Sequence, residues 1–118
     1  MPGERMRRVN EAVREVLSAR LAEGLKDPRV GFVTVTAVET SPDLRHARVY
    51  VSVLGGEDER RASLAGLGSA HGLLQGAIAA ELRLKRTPTL EFLYDESIDR
   101  GMRISQLLEE DTDAASSD

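Results

Sequence analysis

The sequence predicts an α+β domain in which helices cover one face of a three-stranded sheet. Three observations predict it. Apolar residues recur at helical spacing over residues 5–23. Two segments rich in β-branched residues, 32–39 and 44–54, are separated by a turn. A helical stretch interrupted by glycines then leads to a third strand at 89–95.

The first helix presents Met6, Val9, Val13, Val16, Leu17 and Leu21 as one stripe, with Ala12 in the same stripe. Arg7, Arg8, Arg14, Glu11 and Glu15 fall on its other faces, and Gly24 is a natural C-terminal stop. Lys26-Asp-Pro-Arg-Val-Gly31 reads as a loop. Phe32 to Glu39 alternates as a strand, and Thr40-Ser-Pro-Asp43 reads as a turn. In the strand Leu44 to Leu54, Ala47, Val49, Val51 and Val53 point one way, and His46, Arg48, Tyr50 and Ser52 the other. The short connection makes these two strands an antiparallel hairpin. Gly55-Gly56 ends it, and Glu57-Asp58-Glu59 suits the positive end of a new helix. Glycine is then unusually dense from Gly66 to Gly72, where each costs up to about 1 kcal/mol against Ala. The pattern resumes over Leu73–Arg83, so two helices meet at a kink near residues 69–72. In the third strand, Thr89 to Asp95, Leu90, Phe92 and Tyr94 share a face. Ser97 is placed to cap a final short helix, in which Ile98, Met102 and Leu108 pack and Arg100 and Arg103 face water.

A chain of 118 residues supports one modest core. The only aromatics are Phe32, Phe92, Tyr50 and Tyr94, so that core must be aliphatic. Without cysteine there is no disulfide framework, thiolate metal site or cysteine nucleophile. No apolar run approaches a membrane span, and the basic N-terminus lacks the apolar stretch of a signal peptide, so a cytoplasmic protein is expected. The net charge of −4 disfavours nucleic acid until its distribution is considered. Residues 109–118 hold five acids and no basic residue; residues 1–108 hold 15 acids against 16 basic residues, a charge of about +1. The expectation is a folded domain over 1–109 and a disordered acidic tail over 110–118.

No catalytic constellation stands out. His46 and His71 have no partner at a motif spacing, and Ser69-Ala-His71 lacks the third member of a triad. Asp95, Glu96 and Asp99 do not have calcium-loop spacing. A non-enzyme with no metal and no cofactor is expected. The kink is the more informative feature. Ser69, Ala70, His71 and Gly72 place small side chains and free backbone N–H groups at the start of a helix, which suits close approach of a phosphate chain. Arg5, Arg7, Arg8, Arg45, Arg48, Arg83, Lys85, Arg86, Arg100 and Arg103 are candidate phosphate contacts. Scarce aromatics favour backbone and shape recognition over base stacking. Two other readings stay open: a module that docks protein through an open strand edge or apolar helix face, and a small hydrolase using Ser69 and His71.

The order α-β-β-α-α-β is that of a type II KH domain, which clamps nucleic acid with a GxxG loop between its central helices. Here Ser69-Ala70-His71-Gly72 stands in that place, an Ala-x-Gly kink. Met6-Arg-Arg-Val-Asn10, Lys26-Asp-Pro-Arg29, Thr40-Ser-Pro-Asp43, Phe92-Leu-Tyr-Asp-Glu-Ser-Ile98 and Gly101-Met-Arg-Ile-Ser-Gln-Leu-Leu108 occur in order. Over residues 4–109 the chain closely resembles the ribosome-binding factor A family of bacterial small-subunit assembly factors. The resemblance implies a KH-like fold with an interrupted clamp, and Ala70 and Gly72 match the family's kink. It implies binding to the immature 30S subunit, on 16S rRNA near the neck and the 5′-end helix. It also implies a role in late maturation and 17S-to-16S rRNA processing by other enzymes, growth at low temperature, and release linked to a GTPase. The protein is expected to act as a monomer.

Overall fold

The computed structural model describes residues 2–97. They form α1 (Pro2–Glu23), β1 (Val33–Thr40), β2 (His46–Val53), α2 (Glu57–Ser69), α3 (His71–Leu82) and β3 (Thr89–Tyr94). The expected final helix with Arg100 and Arg103, and the acidic tail over 110–118, lie outside the described residues. Helix α1 starts before the expected residue 5, at Pro2, where a missing N–H costs nothing because the first turn has no acceptor for it. Gly24 closes α1 with φ +92°, a conformation that disfavours any side chain, and its N–H donates to Leu21 O at 3.1 Å. Helix α3 stops one residue earlier than expected, because Arg83 is itself left-handed (φ 45°).

The sheet order is β1-β2-β3, with β2 antiparallel to β1 and parallel to β3. A parallel neighbour requires a crossover, and the α2–α3 pair supplies it. That requirement places the kink in the helical layer above the sheet. The inner face carries the rows Val35–Val51–Tyr94, Val38–Val49–Phe92 and Thr40–Ala47–Leu90; the outer face carries Ala37–Tyr50–Leu93 and Glu39–Arg48–Glu91. Regular alternation through β1 does not hold. Val35 and Ala37 oppose the successive residues Val51 and Tyr50, so Thr36 is the extra residue of a bulge. Its Oγ1 lies 2.6 Å from Asp95 Oδ2 and 3.2 Å from Tyr50 O, tying β1 to the chain just past β3.

The core is aliphatic, as the composition requires. Val13 and Leu17 of α1, Val49 and Val51 of β2, Leu67 of α2 and Leu74 and Ile78 of α3 are buried to completion. Each such side chain contributes about 1.5–3 kcal/mol by leaving water. Asn10 Oδ1 accepts the Thr40 N–H at 2.8 Å and fixes α1 against the end of β1. At the start of α2 the Glu59 carboxylate accepts the Gly56 N–H at 2.8 Å, which satisfies a donor the helix leaves free. Ser97 is not a cap: residues 96 and 97 are already helical, and Asp95 Oδ1 accepts the Ser97 N–H at 3.0 Å. Asp95 holds the cap position because it precedes the first helical turn and its carboxylate reaches that N–H.

Candidate nucleic-acid interface

The two central helices meet at Ala70, whose backbone (φ −89°, ψ 4°) ends α2 and starts α3. Its N–H is shared between Gly66 O and Leu67 O, both at 3.1 Å, and its carbonyl accepts the Leu74 N–H. His71 Nδ1 lies 2.7 Å from Gly68 O. A carbonyl only accepts, so Nδ1 carries the proton in this contact. The His71 ring therefore clips α3 to the last turn of α2. Ser69 Oγ accepts instead from Arg29 Nη2 at 2.9 Å. Each is engaged by a different partner, which is not the arrangement of a nucleophile and its base.

The glycines around the break divide into two kinds. A Cβ on Gly66 would meet Val30 Cγ2 at 2.5 Å, whereas at Gly68, Gly72 and Gly76 it would meet nothing within 4 Å. None of those three has a positive φ. Neither backbone conformation nor packing within the described residues requires glycine there. The bare backbone of Gly68 and Gly72 faces open space on both sides of the break.

Behind the break lies the loop from Lys26 to Gly31. Asp27 takes the Arg29 guanidinium in a fork (Nε–Oδ1 3.0 Å, Nη2–Oδ2 2.6 Å) and the Arg29 N–H at 2.9 Å. Gly31 donates its N–H to Ser63 Oγ at 3.2 Å. Sequence reasoning takes this stretch only as a loop and a family signature. Its role in bracing the kink connects residues 40 apart, and the spacing Asp-Pro-Arg is the only local sign of it. Hydrogen bonds from Arg29 hold the Asp27 carboxyl down at about 2, against an ordinary 3.8. A depressed carboxyl pKa adds stability above its unfolded value, and that stability is lost as pH falls through the folded value. Between about pH 4 and pH 2 the protein is therefore expected to lose melting temperature more steeply than the Asp27→Asn variant. Circular dichroism melts across that window check it; parallel curves would contradict the role assigned to the fork.

The structure gathers most of the candidate cations elsewhere. Arg5, Arg7 and Arg8 are exposed on the first turns of α1, Arg45 lies in the hairpin turn, and Arg83, Lys85 and Arg86 are exposed between α3 and β3. Two contacts bring the opening of α1, the hairpin turn and the start of β3 toward one end of the sheet: Asn10 to Thr40, and the Thr89 N–H to Arg45 O at 2.8 Å. Arg83 lies apart, two positions past Glu81, whose carboxylate meets Arg20 Nη2 at 3.4 Å near the C-terminal end of α1. The kink belongs to the other end. Gly31 and Phe32, which follow the bracing loop, line a groove with Leu21 and Ala22. Leu21 is thirteen positions along α1 from Arg8, about 20 Å of helix. Arg8 and Arg45 contact Glu4 (3.8 Å) and Asp43 (3.7 Å), but both pairs are solvent-exposed and weak. Arg48 stands apart, on the outer face between Glu39 and Glu91, in a hollow of ≈ 510 Å³ that also takes in His46 and Thr89. Its charge is offset there. Arg100 and Arg103 lie outside the described residues. Among the described residues no cluster of His, Asp and Glu is placed to hold a metal ion, and no helix is long and apolar enough to cross a membrane.

A kinked helix pair crossing over a sheet of this order, with Ala-x-Gly at the break, defines a KH-like domain. Known proteins narrow the class. The family model for ribosome-binding factor A matches residues 5–108, and the chain belongs to the ribosome-binding factor A family. The Geobacter metallireducens member is 48% identical over 107 residues, covering 91% of each chain. The Anaeromyxobacter dehalogenans member is 56% identical over 104 residues, covering 87% of this chain and 75% of that protein. Among solved structures, the crystal structure of the Thermus thermophilus factor superposes with a TM-score of 0.67 at 31% identity, over 75% of this chain and 94% of that one. A homology model of the Thermus thermophilus factor, fitted into the cryo-EM map of a 30S complex, aligns with a TM-score of 0.60 at 33% identity, over 72% of this chain and 89% of that one.

Proposed function

We propose that this protein binds the small ribosomal subunit without catalysis, gripping 16S rRNA by its sugar–phosphate backbone. The observation that carries the reading is the open surface at the break. Gly68 and Gly72 keep bare backbone facing solvent where neither φ nor internal packing asks for glycine. A phosphate chain gains from that clearance and from the N–H groups at the start of α3. The cations at the opposite end would add salt-dependent contacts, so the RNA would run along the helical layer. The family relationship, and the 30S complex in which the Thermus thermophilus factor was fitted, support the small subunit as the partner.

The finer parts of the proposal rest on the family resemblance. They are contact near the neck and the 5′-end helix of 16S rRNA, action late in maturation, and support of 17S-to-16S processing by other enzymes. They extend to growth at low temperature, release by a GTPase, and a monomer in the cytoplasm. No cofactor enters this reading.

The test is co-sedimentation with 30S subunits over a salt series. The protein is expected in precursor and mature 30S fractions at low salt, and to leave them as salt rises, because each phosphate contact releases counterions. Absence from both fractions at low salt would overturn the proposal.

A further inference from the structure

We infer that the hollow on the outer face of the sheet, around Arg48, takes a single unpaired guanine base of RNA, an inference that deepens the RNA-binding reading above and rests on it. The hollow measures ≈ 510 Å³; His46 and Arg48 of β2 line it, flanked by Glu39 of β1 and by Thr89 and Glu91 of β3. One nucleotide fits such a space, since small-ligand pockets span about 300–1,000 Å³. Glu39, His46, Arg48 and Glu91 are all exposed. The strand pairing sets Arg48 between Glu39 and Glu91 in one row across the sheet, with His46 two positions along β2 on the same face. Among the described residues no ion pair ties Arg48 to either glutamate. The Tyr50 hydroxyl lies 3.4 Å from Glu39 Oε2, which leaves Glu91 as the carboxylate without a hydrogen-bond partner among the described residues.

Position and chemistry select the occupant. Arg45 precedes His46, its carbonyl accepts the Thr89 N–H at 2.8 Å, and Arg86 stands three residues before Thr89. The hollow therefore opens at the end of the sheet where phosphate contacts gather. Two carboxylates repel a phosphate, so what enters from a passing strand is a base. A basic peptide would meet Arg48 between the glutamates, and Arg45 and Arg86 beside them. Guanine carries two donors on one edge, N1–H and the 2-amino group, and two acceptors on another, O6 and N7. A carboxylate accepts the first pair and a guanidinium donates to the second. No other base presents a pair to each: adenine and cytosine offer the carboxylate one amino group, and uracil one ring N–H. Arg48 and Glu91 stand at paired positions on strands about 4.8 Å apart, so one base reaches both. His46 supplies a flat ring on the same face for the base to stack on.

The experiment titrates the full chain, isotope-labelled, with the pentaribonucleotide UUGUU and with the same strand carrying inosine, adenosine or cytidine at its centre. UUGUU is expected to bind about tenfold more tightly than the adenosine and cytidine strands, and to shift the amide signals of His46, Arg48 and Glu91. Inosine lacks the 2-amino group and is expected to lose most of that preference. Glu91→Gln and Arg48→Met, both at exposed positions, should each reduce the guanine preference to about twofold at an unchanged melting temperature. Glu91→Gln should leave the affinity for the adenosine strand as it was. Guanosine 5′-monophosphate, without flanking phosphates for Arg45 and Arg86, is expected to bind about tenfold more weakly than UUGUU. Equal affinity for all the strands, or amide shifts that avoid β2 and β3, would overturn the inference. So would mononucleotide binding as tight as that of the strand, a guanine preference that both variants retain, or a lysine heptapeptide that shifts the same amides. Co-sedimentation with 30S subunits is read separately. A protein that sediments with 30S subunits but shows no guanine preference leaves the RNA proposal standing; one that does neither overturns both.

Discussion

One methyl group added at Gly66 is expected to destabilise the domain by about 1–3 kcal/mol, whereas the same group at Gly68 is expected to stabilise it. The difference lies in what each new carbon meets. At Gly66 it enters the contact between α2 and the bracing loop, 2.5 Å from Val30 Cγ2 and 3.4 Å from Arg29 Cβ. Valine is stiff at χ1, so the loop backbone must move to make room. Any helix-propensity gain, up to about 1 kcal/mol, is outweighed. For a domain of this size the effect is a fall in melting temperature of roughly 4–20 °C. At Gly68 the carbon meets nothing, and the propensity gain is kept. If the bare surface serves RNA, Gly68→Ala together with Gly72→Ala should weaken 30S binding while the melting temperature holds or rises. Thermal melts and subunit co-sedimentation on the same preparations separate the two effects. Undiminished binding by the Gly68→Ala, Gly72→Ala protein would remove the kink from the interface.

The other large effect is expected at the far end of the domain. Arg7→Glu with Arg8→Glu reverses two exposed charges on the opening turns of α1. Affinity for 30S subunits should fall about tenfold or more at moderate salt. The slope of log affinity against log salt should become shallower by about 1 for each phosphate that the variant no longer neutralises. Folding should be indifferent. The ion pair of Arg8 with Glu4 is exposed, and such pairs contribute little. An unchanged slope with unchanged affinity would show that α1 faces away from the RNA. Comparing the two experiments tests the separation of the zones: glycine variants should shift affinity without altering the slope, and arginine variants should alter both.

The elements that the sequence reveals are those whose residues need no distant partner. Ala47, Val49, Val51 and Val53 alternate cleanly, and all four are buried along β2. The break between the central helices falls at Ala70, inside the span where glycine makes a continuous helix costly. What stays hidden depends on neighbours far along the chain. The bulge at Thr36 is invisible because Val33, Val35 and Ala37 look like regular alternation; only the pairing with Tyr50 exposes the extra residue. The parallel placement of β3 beside β2 leaves no local mark. At the candidate site, Gly66 and Gly68 are the same residue two positions apart, and only the arrival of Val30 gives them opposite roles. Arg29 is not among the residues expected at the kink, since its contact with Ser69 spans 40 positions. The basic residues are legible one at a time. Their collection at one end follows from contacts such as Asn10 with Thr40 that composition cannot encode.

The bond between Thr36 and Asp95 joins positions 59 apart and can form only after β3 has settled beside β2. During synthesis the hairpin of β1 and β2 emerges early and can pair by itself, because its connection is local. Helix α1 is already made and covers part of its apolar face, but the β2 edge stays open until the whole crossover is made. The chain reaches its native sheet only when the segment ending at residue 95 clears the exit tunnel. Loop closure over that length makes docking of β3 the late and slow event of folding. A nascent chain halted before Tyr94 would hold a hairpin whose β2 edge lacks its parallel partner, a form open to pairing with another chain and to chaperones.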